Sequence, residues 1–220
     1  MRAALDALVA ADPRLARIEA AAGPLPWRVR GGGFAGLLQI VVGQQISNQA
    51  ALAIWRRLEA HPRLLQPDGL LAADEAILRG VGLSRPKVAH ARSLAEAFAN
   101  GQLSAEALAR LPDLGVIAEI IAVRGLGPWT AEVYLLFALQ RQDVFPAGDI
   151  ALAGAAADIL GLPCRPNPRA LRLLADVWRP SRALAARLLW HHWRYLTGRP
   201  SFDDAPPAPA LIEPAFTSPG

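Results

Sequence analysis

Two glycines and a proline interrupt an apolar stretch at RGLGPW, residues 124–129, between two runs with helical periodicity. Gly125 and Gly127 allow a positive φ and remove side-chain bulk, and Pro128 suits the first position of a helix because its missing N–H would have no partner there. The pattern predicts a hairpin of two helices with a bare backbone tip. Unpaired amides at the start of a helix bind anions, so a phosphodiester suits such a tip. The spacing alone leaves an ordinary turn between helices as the alternative.

Helical signals recur along most of the chain, whereas the alternating patterns typical of strands are nearly absent. Residues 34–60 predict one or two helices with a break near residues 43–48, and residues 72–79 predict a short helix that Gly80 stops. Two sets of apolar residues lie on single faces of the helices flanking the hairpin: Leu114, Ile117, Ala118 and Ile121 before it, and Trp129, Val133, Leu136 and Phe137 after it. With short connections, these elements predict an all-α fold.

The composition excludes several classes of protein. Cys164 is the only cysteine, which rules out internal disulfides, cysteine-ligated zinc sites and four-cysteine iron–sulfur clusters. No apolar run approaches the roughly 20 residues of a membrane-spanning helix. The net charge is +4, and Lys87 is the sole lysine among the basic residues. The many arginines suit phosphate groups, although a GC-rich genome would favour the same composition.

Four ordered blocks of the sequence resemble the helix–hairpin–helix DNA glycosylases, in particular the alkylated-base branch typified by 3-methyladenine DNA glycosylase II. They are GFAGLLQIVVGQQIS at 33–47, GLSRPKVAHARSLAEAF at 82–98, VRGLGPWTAEVYLLFAL with DVFPAGDIALAG at 123–154, and WRPSRALAARLLW at 178–190. The resemblance covers roughly residues 30–195 and implies two helical lobes with a cleft between them. Residues 35–138 would form a helical barrel lobe, residues 1–34 plus 139–198 a second lobe, and residues 199–220 a weakly ordered, proline-rich tail. The resemblance implies a compact form without the N-terminal β domain of the type enzyme.

Asp149 occupies the position of the family's catalytic aspartate. It precedes an apolar helical stretch, so the residue is also a good N-cap, and the start of a helix favours an ionised carboxylate. The resemblance implies that this carboxylate stabilises an oxocarbenium-like sugar or directs water to it. No second carboxylate occupies an obvious acid position, and we expect Glu132 to be a solvated helix residue. A 3- or 7-alkylated purine is already positively charged and needs no acid to leave.

Tryptophans are expected to form the base pocket. Trp129 stands where bifunctional relatives carry a nucleophilic lysine, so lyase chemistry is not expected. Its indole can stack on a flipped cationic base, and Trp190 matches another pocket tryptophan of the alkylation branch. Core packing remains the alternative for both. Val133 replaces a family pocket tyrosine, and Ile150 rather than an aromatic residue follows the aspartate, so we expect a less aromatic pocket.

The remaining site predictions concern contacts with DNA. The resemblance places Gln45 at a helix–loop junction, where it fills the gap left by the extruded nucleotide; helix capping is the alternative. The backbone carbonyls of residues 123–126 could hold a monovalent cation that bridges to phosphate. The phosphate-binding hairpin is expected to comprise Arg124, Gly125, Leu126, Gly127 and Thr130.

The resemblance implies a monofunctional DNA glycosylase that excises alkylated purines, such as 3-methyladenine and 7-methylguanine, from duplex DNA in base excision repair. We expect a monomer that needs no cofactor, binds duplex DNA containing a damaged base, and is cytoplasmic and nucleoid-associated rather than bound to a membrane. Three alternatives stay open: a glycosylase for deaminated or mismatched bases, a non-catalytic helix–hairpin–helix DNA-binding module, and a purely structural helical protein.

Overall fold

The computed structural model describes residues 2–199, which form thirteen α-helices and three short 3₁₀ segments without a strand. The all-α prediction is therefore confirmed. The predicted tail from residue 200 onward lies outside the described residues. The helices are α1 (Arg2–Ala11), α2 (Ala16–Ala22), α3 (Gly33–Gly43), α4 (Asn48–Glu59), α5 (Pro67–Ala72), α6 (Glu75–Gly80), α7 (Arg85–Ala99), α8 (Ala105–Arg110), α9 (Asp113–Ile121), α10 (Pro128–Phe137), α11 (Ile150–Leu160), α12 (Pro168–Leu174) and α13 (Arg182–Thr197).

Side-chain caps fix where several helices begin. The predicted break between residues 43 and 48 is confirmed, since α4 starts after Ser47, whose hydroxyl accepts a hydrogen bond from Ala50 N at 3.2 Å. The short helix predicted for residues 72–79 is present as α6 and ends at Gly80, but it begins only at Glu75, because the extended backbone of Asp74 separates it from α5. Pro67 starts α5, a helix that the sequence pattern does not predict.

Two clusters of buried apolar residues make up the core. One draws on residues 34–144, and the other combines residues 5–25 with residues 136–189. Helix α10 lies between them and is buried on nearly every side from Thr130 to Leu136. The predicted single apolar face of α10 therefore understates its burial. The lobe boundaries themselves stay a prediction.

The apolar face predicted for α9 is wrong. Leu114 is 81% exposed and Ile121 is 45% exposed, whereas Val116 and Ile120 are fully buried against the first cluster. The helix sequence DLGVIAEII carries apolar residues around most of its circumference. The periodicity is therefore compatible with burial of either of two faces. Contact with α10 buries the face that contains Val116 and Ile120.

Asp12 joins the N-terminal helices to the second cluster. It caps the 3₁₀ segment Pro13–Leu15, and its carboxylate accepts hydrogen bonds from Arg14 Nε at 2.7 Å and Trp178 Nε1 at 2.9 Å. Burial alone would raise the pKa of Asp12, but the hydrogen bonds from Arg14 and Trp178 outweigh it and lower the pKa.

We expect Asp12→Asn to lower the free energy of unfolding by about 1.5–3 kcal/mol at neutral pH, because charged hydrogen bonds to a buried carboxylate are lost. The folded pKa is lowered, so the wild-type advantage is present above the unfolded pKa of about 3.9 and disappears as the pH falls through the folded pKa. Urea unfolding of both proteins across this pH range measures the difference. A difference that does not change with pH would contradict the assignment.

Candidate active site

The hairpin between α9 and α10 uses its two glycines for different reasons. Gly125 has a φ of +88°, as predicted, and a Cβ there would lie 2.1 Å from Cδ2 of His90. Gly127 has a φ of −109°, so the prediction of a positive φ at this position is wrong. A Cβ at Gly127 would meet nothing within 4 Å. Gly125 is therefore required by the fold, whereas nothing in the protein itself requires Gly127.

Hydrogen bonds from the side chain of Gln44 hold the tip of the hairpin in place. The side-chain amide of Gln44 donates to Thr130 Oγ1 at 3.0 Å and to the Gly125 carbonyl at 3.3 Å. Thr130 is 1% exposed, and Leu126 is buried as well. The predicted contribution of Thr130 and Leu126 to phosphate binding can therefore come only from their backbone.

Helix α10 starts without a side-chain cap. Gly127 occupies the N-cap position, and its carbonyl accepts from Ala131 N at 3.2 Å. Pro128 follows at the first helical position, as predicted. Arg124 is exposed on the turn that leads into this helix start. An uncapped helix N-terminus beside an exposed guanidinium and an open glycine is a favourable environment for an anion.

The two adjacent glutamines at the end of α3 have separate roles. Gln44 points inward to the hairpin, whereas Gln45 is exposed and has a φ of +56°. A left-handed conformation costs a non-glycine residue about 1–2 kcal/mol, so the surrounding structure must hold Gln45 in place. Near the end of α3, the ammonium of Lys87 donates to the Val42 carbonyl. Burial lowers the pKa of Lys87.

Asp149 caps α11 through one oxygen and binds a tryptophan through the other. Its Oδ1 accepts from Ala151 N at 2.8 Å and Leu152 N at 3.0 Å, and its Oδ2 accepts from Trp129 Nε1 at 2.9 Å. The residue as a whole is half-buried. The loop before it is anchored by the buried ring of Phe145. Asp149 is thus fixed in orientation by three N–H donors.

Trp129, Val133 and Phe137 form a stripe along α10 at intervals of four residues. A rise of about 1.5 Å per residue puts the two ends of this stripe roughly 12 Å apart. Trp129 at one end binds Asp149, and Phe137 at the other stacks on Trp190 of α13, with ring centroids 5.5 Å apart. The stripe therefore links the two predicted pocket tryptophans.

The four predicted pocket residues differ in exposure. Trp129 and Trp190 are half-buried and pack against the edges of the core clusters. Val133, the middle residue of the stripe on α10, is buried. Ile150, the first residue of α11, is 71% exposed. The structure thus brings Trp129 directly to Asp149 and leaves Ile150 as an exposed neighbour of the aspartate.

The prediction that Glu132 is solvated is wrong. It is 5% exposed, and its carboxylate accepts from Arg172 of α12 at 3.0 Å. Burial raises the pKa of Glu132, and Arg172 opposes that rise. The residue is buried because α10 lies between the two clusters and has almost no solvent face. Glu132 is therefore a buried carboxylate paired with Arg172, whose side chain reaches it from the surface.

An all-α fold in which a glycine hairpin joins two helices is the architecture of a helix–hairpin–helix protein. The chain belongs to the HhH-GPD superfamily of base excision DNA repair proteins, whose family profile matches residues 38–180. The resemblance stated from the sequence is thereby confirmed.

Individual relatives match most of the chain. DNA-3-methyladenine glycosylase 1 of Schizosaccharomyces pombe is 30% identical over 158 residues, which cover 70% of this chain and 69% of that protein. The solved structure of the 3-methyladenine DNA glycosylase of the same yeast, in complex with abasic DNA, has a TM-score of 0.75 and 26% identity, covering 84% of this chain and 95% of that one. The structure of DNA-3-methyladenine glycosidase from Bacillus halodurans has a TM-score of 0.73 and 29% identity, covering 90% and 93% of the two chains.

Between residues 2 and 199, no helix has both the length and the apolar character needed to cross a bilayer.

Proposed function

We propose that the chain is a monofunctional DNA glycosylase that removes alkylated purines from duplex DNA by hydrolysing the N-glycosidic bond. One observation carries the proposal: the hydrogen bond of 2.9 Å from the Trp129 indole to the Asp149 carboxylate. It brings an electron-rich ring and a fixed negative charge together at the half-buried edge of the core. A cationic base and a developing positive sugar are the two groups that such a pair would stabilise.

The proposed chemistry needs one carboxylate. Asp149 stabilises the oxocarbenium-like sugar or directs water to it, and an alkylated purine departs as a neutral base without being protonated. Glu132 is not required as an acid, in keeping with its pairing to Arg172. The absence of lyase activity is supported by Lys87, the sole lysine, whose ammonium is bound to the Val42 carbonyl.

The base would lodge against the half-buried indoles of Trp129 and Trp190, at the two ends of the stripe on α10. Val133, which is 3% exposed, would lie beneath the pocket. Ile150 would border the sugar beside Asp149. Bases that carry a positive charge are favoured there because both indoles offer an electron-rich face.

The hairpin would bind the phosphodiester backbone beside the lesion through the amides at the start of α10, with Arg124 adding a charge-assisted contact. Gln45, exposed at the end of α3, would fill the gap that the flipped nucleotide leaves. A monovalent cation could add to phosphate binding from the carbonyls of the turn. Those of Val123 and Gly125 already accept hydrogen bonds, from Leu126 N and Gln44, so such an ion would depend chiefly on the carbonyls of Arg124 and Leu126.

The two-lobe division supports this arrangement. With residues 35–138 as one lobe and residues 1–34 plus 139–198 as the other, the hydrogen bond between Trp129 and Asp149 would join the two lobes at the proposed cleft. We take the enzyme to act as a monomer on damaged duplex DNA in the nucleoid.

A base-release assay tests the proposal. Duplexes that contain 3-methyladenine, 7-methylguanine, hypoxanthine or uracil are incubated with the protein, and free base and strand cleavage are measured separately. We expect release of the methylated purines and abasic sites without strand cleavage. Faster release of hypoxanthine or uracil would indicate a glycosylase for deaminated bases. Lesion-independent binding without release of any base would indicate a non-catalytic DNA-binding module.

A further inference from the structure

The segment between α2 and α3, residues 23–32, contains no helix and is called the N-terminal arm here. It lies before residue 38, where the family match begins. Trp27 on this arm is 49% exposed, although a tryptophan in an irregular segment would usually be covered. One face of its ring is covered by a cation.

Arg187 of α13 lies between two aromatic rings. The carbon of its guanidinium is 4.4 Å from the ring centroid of Trp27 and 4.5 Å from that of Phe137. Its Nη1 donates to the Arg28 carbonyl at 2.6 Å, and its Nη2 donates to the Leu136 carbonyl at 3.0 Å. One buried side chain therefore ties the N-terminal arm to the end of α10 and to α13.

Phe137 connects the Arg187 side chain to the proposed base pocket. Its ring stacks on Trp190 at 5.5 Å between centroids with an interplanar angle of 26°. The arm also reaches Phe137 through Arg30, whose guanidinium carbon is 4.6 Å from the ring and whose backbone N donates to the Phe137 carbonyl at 3.1 Å. The arm thus contacts the Phe137 ring, and the position of Trp190 depends on that ring.

We propose that Trp27 is a positioning residue for the base pocket, acting through Arg187 and Phe137 to fix the Trp190 indole against which the damaged base stacks. This inference rests on the proposed function. A planar guanidinium between two ring faces is held in one orientation, because tilting it would give up cation–π attraction and strain its two hydrogen bonds. Without the Trp27 ring, the guanidinium gains a route to solvent, and Phe137 and Trp190 lose their fixed support.

The test compares Trp27→Leu with Trp27→Phe. Leucine keeps apolar bulk but has no aromatic face, whereas phenylalanine keeps the face. We expect Trp27→Leu to lower the single-turnover rate of 3-methyladenine release about 5- to 20-fold, in line with the loss of one largely desolvated cation–π contact. Trp27→Phe should restore most of the rate. Affinity for undamaged duplex DNA should not change, because the hairpin is intact. Val29→Ala, a substitution at another exposed apolar residue of the arm, is the matched control and should behave as wild type.

Two results would overturn the inference while leaving the proposed function in place: wild-type excision by Trp27→Leu, or a lower rate that Trp27→Phe does not rescue. A parallel fall in thermal stability, binding of undamaged DNA and rate would show a merely structural role and would also overturn it. Absence of base release by the wild-type protein would instead refute the proposed function, and the inference would fall with it.

Discussion

Replacement of Asp149 by asparagine is expected to lower the single-turnover rate of methylated-base release about 100- to 1,000-fold, the size of effect seen when one preorganised electrostatic group is removed from an active site. Asparagine has nearly the same shape and is an equally good N-cap, so α11 should keep its start. The carboxylate charge is lost, and with it the stabilisation of the positive sugar. The measurement is base release under enzyme excess, together with urea unfolding.

Glu132→Gln is the matched control for this experiment. It removes a carboxylate charge three residues along α10 from Trp129, but Glu132 is paired with Arg172 rather than with Trp129. This variant should keep most of the wild-type rate. The Asp149 variant should lose only about 1 kcal/mol of unfolding free energy, from the weakened hydrogen bond to Trp129. Equal excision by Asp149→Asn and wild type would remove Asp149 from the mechanism.

Local signals predicted much of the fold because helix starts depend on neighbouring residues. Four helices begin at a residue whose side-chain oxygen accepts a hydrogen bond from a backbone N–H two or three residues later. These capping residues are Ser84, Ser104, Asp149 and Asn167. Where no local signal determines which face of a helix is buried, the prediction from sequence is wrong. The face of α9 is an example, because a helix with apolar residues nearly all around can be oriented only by what it packs against.

Pairings across the sequence could not be predicted in the same way. Trp129 and Asp149 are 20 residues apart, and no periodicity connects a helix start to the cap of the next helix. The burial of Glu132 has the same origin, since it depends on α10 lying between two cores. Resemblance to known glycosylases supplied the candidate site residues one by one. It did not supply the hydrogen bond that joins two of them.

Neither the local sequence signals nor the resemblance to known glycosylases could predict the proposed role of Trp27. The N-terminal arm has no helical or strand pattern, and Trp27 is connected to the pocket through Arg187 and Phe137, which are separated from the arm by more than a hundred residues. Gln44 and Gln45 show the same limit at short range. They are adjacent in sequence, but the left-handed backbone of Gln45 turns one side chain toward the hairpin and leaves the other exposed.

The second large effect is expected from the hairpin, where Gly127→Ala should weaken binding to duplex DNA about 10- to 100-fold. Alanine tolerates the backbone at this position, and its Cβ would enter open space, so folding should not suffer. That open space is where a phosphodiester would approach the amides of α10, and a methyl group there would push it away. Loss of hydrogen bonds to a charged phosphate costs about 1.5–3 kcal/mol, which gives the expected range.

Gly125→Ala is the counterpart, because it changes the same hairpin by the same methyl group. Its φ of +88° and the clash with His90 predict a loss of unfolding free energy of more than about 1 kcal/mol. Fluorescence anisotropy over a range of salt concentrations separates the two mechanisms. Gly127→Ala should keep the salt dependence of wild type, since no cationic group is lost, whereas Arg124→Ala should reduce the slope of log K against log salt by about 1. If Gly127→Ala binds as tightly as wild type, the start of α10 does not contact phosphate, and the hairpin is only a turn between two helices.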